Sequence, residues 1–139
     1  MLKQKIKTHK MRVVYNCPHF FILSKGNNSG KPLEKPCPNC FVCLCKDENE
    51  KQILYWLFYG LWEGAYFKPF LTGSVISFIR LDNLKEVATM AWAKIELQPQ
   101  QFNKNISLIQ MLNEKDKVIQ AQIKLIKQTK KALMYQVLK

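Results

Sequence analysis

The chain has 139 residues, of which 47% are hydrophobic and eight are Phe, so it is long enough for one packed domain plus an appendage. Its formal net charge is +12, with +8 over residues 1–46, −2 over residues 47–99 and +6 over residues 100–139. This distribution indicates a polyanionic partner, nucleic acid ahead of a membrane surface, with a solvated lysine-rich surface as the alternative.

The start of the chain is charged, and its most apolar stretch, residues 53–62, is too short to span a bilayer. We therefore expect a cytoplasmic protein without a membrane partner. In that compartment its five cysteines should be reduced or metal-bound.

The order of predicted elements indicates an α+β fold, with a small mixed head of a few short strands and a buried helix over residues 1–97. Residues 1–10 are a basic lead-in that is either disordered or begins a strand. β-Branched and aromatic runs predict strands at residues 11–15 and 20–23. Turn-forming residues predict a loop over residues 24–38.

A helix is predicted from about Glu50 to Trp62, apolar nearly all round and therefore buried, with Gly64 ending it. The acidic residues Asp47, Glu48 and Glu50 suit its N-terminus, where the helix dipole favours negative charge. Its aromatic side chains and those that follow offer a base-stacking platform only as a minor alternative, because their helical spacing favours core packing.

A strand is predicted at residues 74–81 (SVISFIRL), with Val75, Ser77 and Ile79 on one face and Ile76, Phe78 and Arg80 on the other. Asp82 is then a candidate N-cap for a helix over residues 83–97, with Leu84 and Val87 among its inward-facing residues. Pro99 suits an early position of one more helix.

That last helix, in residues 98–139, contains a heptad seam without Gly or later Pro. At 1.5 Å per residue, residues 100–139 would span about 58 Å, which is more than the head needs for its own core. The helix therefore predicts a partner helix. The predicted interface comprises Phe102, Ile109, Leu112, Asp116, Ile119, Ile123, Ile126, Leu133 and Val137. Asn105 and Lys130 occupy further seam positions, where polar residues weaken association but fix its register.

Cys37 and Cys40 form a Cys-x2-Cys step bounded by prolines, which is typical of one half of a tetrahedral zinc site. Cys17 with His19 would supply the other half, and Cys43 with Cys45 is an alternative second pair. Neither pair has the usual spacing of two to four residues. The competing interpretation is that the thiols are small buried hydrophobes. A structural zinc is the one cofactor that the sequence suggests.

The loop at residues 26–31 falls short of a phosphate loop, because three residues rather than four separate its glycines and Pro32 follows the lysine. Its backbone N–H groups and lysines remain candidates for contacts with a phosphate backbone, against an ordinary surface loop. The candidate DNA-binding residues are Arg12, Lys25, Asn27, Asn28, Lys31, Lys35 and Arg80. No constellation of catalytic residues stands out, so we do not expect an enzyme.

Residues 71–87 (LTGSVISFIRLDNLKEV) and 112–133 (LNEKDKVIQAQIKLIKQTKKAL) resemble the end of a specificity subunit of a type I restriction-modification system. In that family a target recognition domain ends in a strand and an Asp-x-Leu-Lys-like step. A conserved helix then runs through a leucine, an aspartate and an isoleucine, here Leu112, Asp116 and Ile119, to a lysine pair. Residues 19–33 and 36–41 are similar to small bacterial proteins without an assigned activity.

The resemblance implies a catalytically silent protein whose head grips duplex DNA while lysines neutralise phosphates. It implies that the long helix pairs two copies of this half-length chain or docks a methyltransferase-type subunit. The rival hypothesis is a helical protein-interaction adaptor that does not bind DNA.

Overall fold

The computed structural model describes residues 2–139 and confirms the α+β fold with a long C-terminal helix. The chain forms two compact units, the first ending at Leu97 and the second comprising Gln98–Lys139. The first unit contains α1 (Leu2–Lys5), β1 (Ile6–Thr8), β2 (His19–Leu23), β3 (Pro32–Leu33), β4 (Cys40–Leu44), α2 (Glu48–Glu63), a 3-10 turn (Lys68–Phe70) and α3 (Leu81–Leu97). The second unit is α4 (Pro99–Leu138).

The four strands form one sheet in the order β1-β4-β2-β3, with every neighbouring pair antiparallel. Because paired residues share a face, the register sorts the side chains into two sets. The helix face carries Ile6, Phe20, Ile22, Phe41 and Cys43, all buried. On this face the ring of Phe20 packs edge-on against Tyr55 and Phe58 of α2.

The opposite face of the sheet, here called the loop face, is covered by chain connections instead of helices. Since β1 and β2 are both antiparallel to β4, they run parallel, and residues 9–18 must cross the sheet to join them. Residues 34–39 make a second crossing between β3 and β4. Tyr15 and Cys37 from these crossings pack on Phe21, Cys40 and Val42. This second, smaller core explains why β2 and β4 are buried on both faces.

The strand predicted at residues 11–15 is wrong, because these residues belong to the first crossing connection. Arg12 adopts a positive φ of 72°, which breaks an extended strand, and Val14 is 84% exposed. The β-branched residues that suggested a strand therefore face solvent. The lead-in forms α1 and β1 from Leu2 onward, and residue 1 lies outside the described residues.

The buried helix is confirmed as α2, two residues longer at its start than predicted. Asp47 caps it, accepting a hydrogen bond from the backbone N–H of Glu50 at 2.8 Å. Gly64 ends it, donating its N–H to the carbonyl of Gly60. The buried residues Leu54, Leu57, Phe58 and Leu61 recur at helical spacing and face the sheet and α3.

The strand predicted at residues 74–81 is wrong as well. Thr72 and Phe78 exchange two backbone hydrogen bonds of 2.9 and 2.8 Å, so the chain between them folds back on itself. Val75 at the tip of this loop is 93% exposed, and within the predicted strand only Phe78 forms β-bridges, both isolated, with Lys25 and Thr72. Helix α3 begins at Leu81, so Asp82 lies inside its first turn and is not the N-cap that was predicted. There its negative charge interacts favourably with the helix dipole.

Helix α4 starts with Pro99 at its first position, as expected. None of its 40 residues is buried. Within residues 2–139, no helix combines the length and the apolar character that crossing a membrane requires.

Candidate functional site

The structure joins several of the predicted DNA-binding residues through backbone pairing. Gly26 donates its N–H to the carbonyl of Ser77 at 2.6 Å, and Ile79 donates to the carbonyl of Ser24 at 3.0 Å. This pairing holds Lys25 opposite Phe78, two residues before Arg80. We call the resulting exposed surface the loop patch; it comprises Lys25, Asn27, Asn28 and Arg80. Residues 24–31, which join β2 to β3 and are called the hairpin loop, thus present their basic and amide side chains together with those of the segment that enters α3.

The other candidates lie apart from the loop patch. Lys31 is half-buried, and its Nζ lies 4.8 Å from the centre of the Trp62 ring, a cation–π contact that ties it to α2. Arg12 is in the first crossing connection and Lys35 in the second, and both are exposed. The predicted residues therefore do not form one surface. Lys31 packs on α2, and Arg12 and Lys35 lie in the connections that cross the loop face.

The backbone of the hairpin loop does not form a phosphate cradle. The N–H of Ser29 bonds to the carbonyl of Gly26, that of Gly30 to Leu23 and that of Lys31 to Asn28. Because these donors are used to close the loop, contacts with a polyanion would have to come from side chains. The interpretation of residues 26–31 as an ordinary structural turn is the one that fits.

The predicted zinc set of Cys17, His19, Cys37 and Cys40 is not assembled. His19 donates from Nδ1 to the carbonyl of Cys17 at 2.8 Å, and Cys40 directs its thiol to the carbonyl of Cys37 at 3.2 Å. Over residues 2–139, no three His, Cys, Asp or Glu side chains converge as a metal site requires. The proline-bounded turn instead carries Cys37 and Cys40 onto the loop face, where they pack as small hydrophobes.

A cluster of rings on the loop face was missed by the sequence reasoning. The ring of Tyr15 lies between His9 and His19, with centroids 5.6 and 5.2 Å away, and Phe21 packs edge-on against both histidines. His9 is buried, and its Nδ1 forms a 2.9 Å hydrogen bond with the Tyr15 hydroxyl. Burial, with a smaller contribution from Cys40, raises the pKa of Tyr15.

This ring cluster fastens the first crossing connection to the sheet. No sequence spacing could have revealed it, because the contacts exist only once the connection passes across β4 and β2. The available signal was that both histidines of the chain flank this connection.

The remaining cysteines lie beside an ion pair that joins α1 to α2. Lys5 Nζ approaches Glu50 Oε1 to 2.6 Å, close to the buried thiols of Cys43 and Cys45. The Cys45 thiol donates to the backbone carbonyl of Cys43 at 3.8 Å. The side-chain interaction between the two thiols raises the pKa of Cys43, as burial also does, and lowers the pKa of Cys45. Both thiols are buried, and among the described residues Cys43 and Cys45 belong to no group of three His, Cys, Asp or Glu side chains that could hold a metal ion.

A cavity of about 660 Å³ lies next to this ion pair, between α1, α2 and α3. Leu54, Trp92 and Ala93 contribute apolar walls. Two pairs of its polar groups are engaged with each other: Trp92 donates from Nε1 to Glu96 at 2.7 Å, and Glu50 binds Lys5.

Helix α4 presents the predicted seam to solvent. Phe102 and Ile109 are half-buried, whereas the seam residues from Leu112 onward are exposed, with Leu112 at 65% and Val137 at 77%. The exposed seam residues are Leu112, Asp116, Ile119, Ile123, Ile126, Lys130, Leu133 and Val137. A second apolar row, seven residues apart, runs beside them through Met111, Val118 and Leu125, all exposed. An apolar stripe of this width on an unburied helix is unusual without a partner.

Comparison with known proteins yields one match. No curated protein and no solved structure matches the chain. The sequence model of a Family of unknown function (DUF6943) matches residues 6–136, which includes β1, the whole sheet and nearly all of α4. The head and the long helix are thus parts of one family pattern, and the chain belongs to this family of unknown function.

Proposed function

We propose that this chain is a non-catalytic DNA-binding protein that works as a pair of copies, in the manner of half a type I specificity subunit. The head contacts duplex DNA through the loop patch, and α4 supplies the pairing surface. The proposal carries no target sequence, because lysine contacts to phosphates position a protein without reading bases.

The observation that carries the proposal is how little of the positive charge is used inside the fold. Only Lys5, Lys51 and Lys117, of 22 lysines and arginines, form an ion pair within residues 2–139. With a net charge of +12, the positive charges of the protein repel one another. Binding to a polyanion neutralises these charges and also releases the counterions that were condensed on the polyanion.

The charges along α4 favour a second copy in antiparallel orientation as the occupant of the apolar stripe. In a parallel pair each residue faces its own copy, which would set Asp116 against Asp116 and Lys130 against Lys130. An antiparallel pair instead brings Asp116 towards the lysines of the partner's C-terminal half, where residues 117–139 contain no acid. Opposite charges then face each other, as interface specificity requires.

The test is a fluorescence anisotropy titration of the full chain on a random 30-base-pair duplex at two salt concentrations. The wild type should bind at low salt with a steep negative slope of log K against log salt. Lys25→Gln with Arg80→Gln should reduce that slope by about 1.8, since each phosphate contact contributes about 0.9.

The matched control is Lys68→Gln with Lys94→Gln, which removes the same charge from exposed positions of the head outside the loop patch. It should change the slope by less than about half as much. Wild-type protein that fails to bind at low salt, or binds without a salt slope, would exclude the proposal.

The exposed stripe of α4 also supports a second candidate, an interaction adaptor that does not bind DNA. On that hypothesis the lysines only solvate the surface. A stable hetero-partner recovered by pull-down, together with no anisotropy change on any duplex, would favour the adaptor over the DNA-binding protein.

A further inference from the structure

Three lysines form a straight row along α4. Lys117, Lys124 and Lys131 are seven residues apart and all exposed. At 1.5 Å per residue, neighbours in the row are about 10.5 Å apart, and the row is about 21 Å long. We call this set the lysine row.

The lysine row lies on the side of the helix opposite the apolar stripe. Each of its members precedes a seam residue by two positions: Ile119, Ile126 and Leu133 follow in turn. Two residues correspond to about 200° around an α-helix, so each lysine points almost directly away from its seam neighbour. A second helix packed on the stripe would therefore leave the row exposed.

The positive charge of the row is almost unopposed. Lys117 has an ion pair with Glu114 at 3.1 Å, but both side chains are 74% exposed and the pair is worth little. Lys127 adds charge near the row, and residues 117–139 contain no acidic residue. Such a helix segment attracts polyanions strongly at moderate ionic strength.

The seam on the other side favours nucleic acid over a lipid surface. A helix that lies in a membrane interface must immerse its apolar stripe among acyl chains. Here Asp116 and Lys130 occupy positions within that stripe, where immersion would be costly but helix pairing tolerates them. When a second copy covers the stripe, the lysine row stays exposed to solvent, where it can contact duplex DNA.

We propose that the lysine row is a second nucleic-acid contact surface, binding the phosphate backbone of duplex DNA in addition to the contacts made by the head. Its length of about 21 Å matches about six base-pair steps at 3.4 Å each, enough for three phosphate contacts per chain. This inference rests on the proposed function, since it adds a surface to the same DNA complex.

The experiment uses full-length protein with Lys117→Gln, Lys124→Gln and Lys131→Gln combined. Gln is a good helix former, so α4 should persist, which far-ultraviolet circular dichroism checks. On the random 30-base-pair duplex the variant should lose at least about tenfold in affinity at 100 mM salt, and its salt slope should fall by about 2.7. The matched control combines Lys104→Gln, Lys115→Gln and Lys139→Gln, which removes the same charge from the same helix but off the row. That control should change the slope by less than about 1.

The outcomes separate this inference from the proposed function. If the row variant binds like wild type while Lys25→Gln with Arg80→Gln weakens binding, the row is excluded and DNA binding by the head stands. If wild type binds no duplex, both fail. A parallel titration uses phosphatidylcholine vesicles with and without phosphatidylserine. Binding to the anionic vesicles that depends on the row, with no duplex binding, would replace nucleic acid by a membrane surface and overturn the inference.

Discussion

At the scale of single residues, the hairpin loop depends on two glycines with different duties. Gly26 and Gly30 both have positive φ, 93° and 97°, a conformation that other residues rarely adopt. A Cβ on Gly26 would meet open space, whereas a Cβ on Gly30 would overlap the ring of Phe67. Phe67 is 2% exposed and stacked on Phe58, so its ring has no room to move aside.

We predict that Gly30→Ala lowers the free energy of unfolding by about 2–4 kcal/mol, because backbone strain and ring overlap act together. Gly26→Ala is the matched control and should cost only about 1 kcal/mol, from the backbone alone. Urea denaturation followed by tryptophan fluorescence measures both. Equal losses for the two variants would mean that Phe67 does not pack against the loop as described.

Chemistry at the residue scale was harder to predict than conformation. The Cys-x2-Cys step suggested half of a zinc site, but its thiols point to the carbonyls of Cys37 and Asn39. Spacing along a chain fixes which side chains are near each other only within one pair. Whether a second pair meets the first depends on how the connections cross the sheet, and that information is not local.

At the scale of elements, the long helices were predicted correctly, whereas the strands predicted at residues 11–15 and 74–81 were wrong. In α2, α3 and α4 the apolar positions repeat every three or four residues, a signal that persists over many turns. Residues 74–81 show the opposite case: a short run with β-branched and aromatic residues matched a strand, yet its pairing is limited to isolated bridges of Phe78 with Lys25 and Thr72. Strand β4 was missed because it is buried on both faces, so its sequence lacks the alternation of apolar and polar residues that marks a half-buried strand.

The link between α1 and α2 illustrates how a short element is held. Leu2–Lys5 is only one turn long and marginal alone, and the 2.6 Å contact of Lys5 with Glu50 fixes it to the start of α2. Burial by itself would raise the pKa of Glu50, but hydrogen bonds from Lys5 and from the backbone of Lys46 outweigh it and leave that pKa below its ordinary value of 4.5. The hydrogen bond to Glu50 raises the pKa of Lys5.

These directions fix the pH dependence of folding stability. A carboxyl group with a lowered folded pKa stabilises the fold above pH 4.5, and the stabilisation is lost as the pH falls through the lowered value. We predict that Glu50→Gln costs about 0.5–1 kcal/mol at pH 7, because the pair is partly exposed to solvent. The difference from wild type should shrink towards zero near pH 3.

Thermal or urea unfolding between pH 3 and pH 8 checks this prediction. The control is Glu48→Gln, whose contact with Lys51 is 3.9 Å long and whose side chain is 66% exposed, so its effect should stay within a few tenths of a kcal/mol. A cost for Glu50→Gln that is unchanged at pH 3 would assign the effect to packing and not to charge.

At the scale of the whole molecule, the two units differ in what stabilises them. The first has a core with two layers, the helix face and the loop face, and closes on itself. The second has none of its 40 residues buried, and isolated helices gain most of their stability from packing. A chain that keeps 13 large hydrophobic side chains exposed along α4 is therefore expected to be complete only as an assembly.

The seam makes that expectation testable at Asp116. An acid among apolar seam residues weakens helix pairing while fixing its alignment, so Asp116→Leu should tighten the association and make the alignment less unique. We predict at least a tenfold lower dissociation constant by sedimentation equilibrium, and a higher thermal midpoint at the same protein concentration. Glu114→Leu is the control: it lies two residues away, about 200° around the helix, and removes one acid outside the seam. If both variants tighten association equally, general hydrophobicity and not the seam drives pairing. If neither changes the molecular mass or the midpoint, the stripe of α4 does not pair two copies of this chain.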